Sequence, residues 1–124
     1  DSLNAEDWHL HEPVTESSPD TIYDQRWALL LLNRALLGLK EEYEAAGKHQ
    51  SYEVLSEFLP GGRQQLTYRQ AGESMGIATN AVKVAIHRIR RRYRELLRRE
   101  VARTVSDPSE IDVEIRYLID VLGR

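Results

Sequence analysis

Cysteine is absent from the 124 residues. That excludes disulfide bridges and thiolate chemistry, and it fits a reducing cytoplasm, the expected location. Long apolar runs are missing too. The longest, Trp27 to Leu32, has six residues, far short of the roughly 20 that a membrane-spanning helix needs, so no membrane partner is expected. The opening residues lack the basic-then-apolar order of a secretory signal. A start at Asp1 rather than Met is what a segment of a longer protein shows.

Catalytic constellations are missing as well. No His and Asp are arranged to activate a serine, and Ser17 and Ser18 suit a helix cap better than a nucleophile. No glycine-rich phosphate loop is present; "PGG" at 60–62 reads as a turn. His9 and His11 in "WHLH" are two residues apart in an acidic stretch, and a metal site needs more ligands. No enzyme activity, cofactor or metal is expected.

What is present is an uneven distribution of charge. The formal net charge is −3. Residues 1–24 carry seven acids and no Lys or Arg, a net −7. Residues 25–77 balance. Residues 78–103 carry nine basic and two acidic residues, a net +7, and residues 104–124 return to −3. The stretch "AIHRIRRRYRELLRR", Ala85 to Arg99, holds seven of the arginines. An acidic chain therefore encloses a strongly basic segment, which the pI near 5.8 conceals.

The apolar spacing predicts an all-α chain of about five helices, with residues 1–20 an acidic linker or tail and 21–124 one small domain. In the tail, Trp8 and Leu10 are candidate docking residues. Pro19, Asp20 and Asp24 suit the first turn of a helix. That helix is expected from about Thr21 to Ala46, with Tyr23, Trp27, Leu30, Leu31, Leu37 and Tyr43 inward and Gly47 as its stop. It is apolar on more than one face around "WALLLLNRALLGL", so it is either central or covered by a partner. A short helix from Ser51 to Leu59 places Tyr52, Leu55, Phe58 and Leu59 inward. Thr67 is a good N-cap for a helix running to about Ser74, and Gly76 is the turn glycine. The next helix begins near Ala78 to Asn80 and carries a regular apolar seam of Val82, Ile86, Ile89, Tyr93 and Leu96, extended by Leu97 and Val101. Its polar positions hold Lys83, His87 and the arginines. "SDPSE" caps a last helix, about 108–122, with Ile111, Ile115, Leu118, Ile119 and Leu122 on one face, expected to return against Leu30–Leu37.

A short helix, a glycine turn and a longer basic amphipathic helix form the helix-turn-helix plan. The first helix braces the second, whose N-terminal residues can reach base edges in a major groove wide enough for one α-helix. The segment "LTYRQAGESMGIATNAVKVAIHRIRRRYRELLRR" resembles region 4, the C-terminal promoter-reading region of sigma-70-family RNA polymerase sigma factors, and most nearly that of the extracytoplasmic-function group. Tyr68, Glu73, Gly76, Ile77, Val82, Lys83, His87, Arg88, Arg90, Arg91, Arg92, Leu96 and Leu97 coincide with that pattern, over about 35 residues. The Thr21–Ala46 helix matches the region's first helix more loosely, and nothing resembles the region that binds the −10 element.

The resemblance implies a binding module that reads the −35 element of double-stranded promoter DNA and docks on the β flap of RNA polymerase core. It places Lys83, Val84, His87 and Arg88 where the family contacts DNA, and Arg91 and Arg92 where it contacts the backbone. Thr79 and Asn80 open the same helix. The apolar helix at 27–39 is the candidate surface for polymerase or for an anti-sigma factor. The chain departs from the family at Ala78, which replaces a capping Ser so that Thr79 or Asn80 is expected to cap. It departs again at Ala71 and Gly72, where glycine inside a helix allows close approach of its neighbour, and at Val84 and Ala85, which replace polar positions. Other readings are a helix-turn-helix regulator acting as a dimer, or a protein-interaction module whose basic helix grips an acidic partner. The arginine run itself has a bland reading, a solvated helix face. The acidic ends also have two readings: solvated tails, or segments that fold over Arg88–Arg99 and weaken DNA binding.

Overall fold

The computed structural model describes residues 19–122. The segment with Trp8, His9, Leu10, His11, Ser17 and Ser18 lies outside the described residues, as do the side chains of Pro19, Asp20, Tyr23, Ile119 and Leu122. The described residues form five α-helices: α1 Pro19–Ala45, α2 His49–Leu55, α3 Tyr68–Met75, α4 Thr79–Ala102 and α5 Ile111–Leu122. Short 3₁₀ turns, Ser56–Phe58 and Pro108–Glu110, follow α2 and precede α5. No strand occurs among the described residues, so the all-α expectation holds.

The seam on α4 organises the packing. Val82, Ile86, Ile89, Tyr93, Leu96, Leu97 and Val101 are all buried. They recur at steps of three and four, so a single face of a 24-residue helix carries most of its apolar side chains. α1 and α3 are its principal partners, and α5 bridges α1 and α4. α1 runs antiparallel to α4: Glu42 meets Arg92, while Gly38 lies beside Leu96.

α1 corrects part of the expected core. Leu30 and Leu37 are 47% and 57% exposed, whereas Ala28, Leu31, Leu32, Ala35 and Leu39 are buried. These five follow i, i+3, i+4, i+7 and i+11, a better helical stripe than the expected one. Four consecutive leucines at 29–32 leave the inward pair unspecified. The two alanines settle it, because small side chains let the neighbouring helices approach. Trp27 and Tyr43 are only partly buried against the core.

The local stops follow backbone chemistry. α1 ends in a paired turn in which the Gly47 N–H donates to the Glu44 carbonyl and the Lys48 N–H to the Tyr43 carbonyl. Tyr52, Leu55, Phe58 and Leu59 are buried as expected. The last segment also caps as expected: Asp107 accepts from the Ser109 N–H, and Glu110 reaches back to the Asp107 N–H. α5 returns onto α1, with Leu118 buried and the Tyr117 hydroxyl donating to Asp24. α5 thus packs on α1, and the Tyr117–Asp24 hydrogen bond ties it to the N-terminal part of that helix.

Gly72 has a specific steric role. A Cβ there would lie 2.7 Å from the Ile77 carbonyl oxygen and 3.2 Å from Val82 Cγ2. Helix propensity alone gives Ala an advantage of about 1 kcal/mol over Gly. A backbone clash that cannot rotate away opposes it, at about 1–3 kcal/mol for overpacking. The clash should win: Gly72→Ala is expected to lower the thermal midpoint by several degrees. A higher midpoint in a calorimetric scan would show that this packing is not close.

Candidate nucleic-acid interface

The geometry begins with the turn. Thr67 caps α3 by accepting from the Gln70 N–H at 3.0 Å, and the Gln70 side chain accepts from the Thr67 N–H at 2.9 Å. These reciprocal bonds satisfy donors that the first helical turn otherwise leaves unpaired. Gly76 ends α3 with φ +71°, a left-handed conformation that glycine adopts without a Cβ penalty. The Ile77 N–H then donates to the Gly72 carbonyl at 2.9 Å. Three residues, Gly76 to Ala78, separate α3 from α4. α3 is thus held against the N-terminal half of α4, with Gly72 close to Val82 and Ala71 buried.

The N-cap of α4 is Ala78, extended at φ −69° and ψ 154°, with no side-chain cap. This corrects the expectation that Thr79 or Asn80 caps. Thr79 is already the first helical residue, so neither hydroxyl nor amide closes the end from outside. The first N–H groups of α4 are left without a side-chain acceptor, a favourable end for an anion.

The predicted contact residues separate into two groups. Thr79, Asn80, Lys83, Val84, His87, Arg88 and Arg91 are exposed. Asn80, Lys83, Val84, His87 and Arg91 follow one another at steps of three, one, three and four. They share the face opposite the buried seam. Val84 is 50% exposed in the middle of that face. Lys83, His87 and Arg88 form no ion pair among the described residues. Arg91 approaches Glu95 only at 3.8 Å and keeps 69% of its side chain exposed.

Arg92 belongs to the second group. Its Nε and Nη2 donate to the two Glu42 carboxylate oxygens at 2.9 and 2.7 Å, and its Nη1 donates to Glu95 at 3.0 Å. This fork-to-carboxylate pairing joins α4 to α1 and leaves the side chain 31% exposed. The Arg92 hydrogen bonds hold the Glu42 carboxyl below its ordinary value, and the two carboxylates hold Arg92 further above its own. Arg92 thus ties α4 to α1 in this structure. Two other arginines of the polar face make similar ties. Arg90 Nε donates to the Phe58 carbonyl at 2.9 Å, and Arg98 pairs with Asp112, whose carboxyl is lowered by that bond.

The sequence could not reveal this division, because the partners of Arg90 and Arg92 lie 32 and 50 residues away. Arg94 and Arg99, expected at polar positions of the helix, are exposed and without an ion pair among the described residues, and they extend the basic surface along α4. No group of three or more His, Asp or Glu side chains able to hold a metal occurs among the described residues. No described helix is long and apolar enough to cross a membrane. Comparisons with protein-family models, with curated proteins and with solved structures find no match to this chain.

The Glu42–Arg92 pair has a definite pH signature. Because the folded carboxyl titrates below its ordinary value of 4.5, its contribution is present above that value and disappears as pH falls through the lower, folded one. Both side chains are partly solvated, so the contribution is small, about 0.5–1 kcal/mol. Glu42→Gln should lower the thermal midpoint by a few degrees at pH 7, and the difference should shrink as pH falls below 4.5 and through the lowered, folded titration of Glu42. An offset that persists unchanged in acid would assign the effect to something other than this ion pair.

Proposed function

We propose that this chain is a DNA-binding module of the sigma-70 region 4 type, acting in the cytoplasm as the part of a sigma factor that reads the −35 promoter element and docks on RNA polymerase. One observation carries the reading. Immediately after a tight glycine turn, α4 presents Asn80, Lys83, Val84, His87 and Arg91 on one exposed face, with Arg88 beside it. α3 braces that half of the helix from behind. The order of short helix, glycine turn and longer basic helix supports a helix-turn-helix reading, and the charge needed to meet phosphate accompanies it.

The mechanism is equilibrium binding. The N-terminal half of α4 enters the major groove, with Lys83, His87 and Arg88 at base edges or adjacent phosphates and Arg91 on the backbone. Val84 offers methyl groups to the C5-methyl of a thymine. The uncapped first turn receives a phosphate oxygen. Arg92 takes no part beyond holding α4 to α1. Docking on polymerase is carried over from the resemblance alone.

Fluorescence anisotropy with duplex DNA tests this. Each phosphate contact contributes about 0.9 to the slope of log affinity against log salt, so losing two should flatten it by about 1.8. A Lys83→Ala, Arg88→Ala chain should show that flattening and bind at least about tenfold more weakly at low salt. Arg92→Ala should leave DNA affinity within about twofold while lowering the melting temperature. A folded wild-type chain that binds no duplex would overturn the reading and favour a protein partner for the basic helix.

A further inference from the structure

We propose that the outer face of α1 is where a second copy of this chain docks, antiparallel, to form a two-fold dimer. The inference stands apart from the DNA-binding reading and uses none of the α4 cations.

The face is apolar where a solvent-facing helix surface is ordinarily polar. Leu29, Leu30 and Leu37 are 38%, 47% and 57% exposed. A single exposed leucine is ordinary on a folded surface. Here three share one side of one helix. Leu30 and Leu37 have Asn33 between them, and Arg26 and Glu41 continue the strip at its two ends. All five of these side chains are exposed. Steps of four, three, four and four keep them in line on a helix. At about 100° per residue, the strip is centred about 180° from the buried stripe of α1. The neighbouring helices approach from elsewhere: α5 meets α1 at Asp24 and α2 at Tyr43, and neither residue belongs to the strip. The described helices therefore leave this face uncovered.

Charge decides what fits it. Neither Arg26 nor Glu41 forms an ion pair among the described residues. They lie about 22 Å apart along the helix, too far to pair with each other. A parallel copy would set like charge against like charge at both ends. An antiparallel copy sets Arg26 against Glu41 twice and brings Leu30 beside the other copy's Leu37. Such self-complementarity is what a two-fold interface requires, residue i meeting j while j meets i. Asn33 then lies next to the two-fold axis, where the amides of the two copies can hydrogen-bond each other. A slipped register would press that amide against leucine without a partner.

The strip is one helix wide, less than a permanent dimer buries, so the association is a micromolar equilibrium. The inner side of α1 packs on the seam of α4. The dimer face and the exposed face of α4 therefore lie on opposite sides of this helix pair, and the N-terminal half of α4 stays open in the dimer.

Sedimentation velocity on the full 124-residue chain, from about 5 to 500 μM, tests the contact. The wild type should pass from monomer to dimer with a Kd of about 10–100 μM at about 50 mM salt. A Leu30→Gln, Leu37→Gln chain should dimerise at least about tenfold more weakly. Its helicity should be unchanged, because both side chains are exposed and glutamine forms helix about as well as leucine. Arg26→Glu alone should weaken the dimer about 5–10-fold, and adding Glu41→Arg should restore it to within about twofold of wild type. The loss on Arg26→Glu should shrink at about 500 mM salt. A wild type that stays monomeric at about 500 μM would overturn the proposal. So would a dimer that Leu30→Gln, Leu37→Gln leaves equally tight, or a loss on Arg26→Glu that Glu41→Arg does not recover.

Discussion

The buried seam of α4 is the constraint from which the rest follows. Seven apolar side chains on one face of a 24-residue helix must be covered. Burying a side chain of this size is worth about 1.5–3 kcal/mol. α3 covers the N-terminal end, α1 the middle, and α5 helps to close the remainder. Once that face is fixed inward, helical geometry turns the polar face outward, and every Lys and Arg on it faces solvent or a rim residue of a neighbouring helix. The fold and the basic surface are therefore one arrangement seen from two sides. Tyr93 shows how firmly the seam dominates. Its ring is buried and its hydroxyl has no partner among the described residues, which burial answers by pushing its titration upward.

The same geometry divides the arginines by position. At the N-terminal half of α4 the neighbouring α3 is short and contributes few acids, so Lys83, His87 and Arg88 remain available. Further along, α1 brings Glu42 and α5 brings Asp112 within reach, and Arg92 and Arg98 become ties between helices. A charge run that looks uniform thus contains two kinds of cation. Pairing, which the arginine count does not reveal, separates the two.

Much of this was legible in the residues. The α4 seam is regular enough that its period identifies every buried position. Thr67, Gly47 and Gly76 perform the local tasks that their chemistry suits. The acidic residues around Pro108 cap where they should. The inward face of α1 was less legible, since four consecutive leucines fit several registers and only packing selects Leu31 and Leu32 over Leu29 and Leu30. Ala78 as the N-cap was missed because alanine carries no capping group; its backbone dihedrals alone mark the position. The roles of Arg90 and Arg92 were illegible in principle, because each depends on a partner brought near only by folding. The choice between the two kinds of cation is a tertiary property.

In the proposed function the N-terminal half of α4 meets DNA, while Arg92 and Arg98 tie α4 to its neighbours. Backbone amide NMR during titration with a duplex tests it most directly. Perturbations are expected to concentrate from Thr79 to Arg91, with the amides around Arg92 to Arg98 changing little and the Glu42–Arg92 tie intact. Perturbations centred on Arg92 to Arg103, or none at saturating duplex, would contradict it.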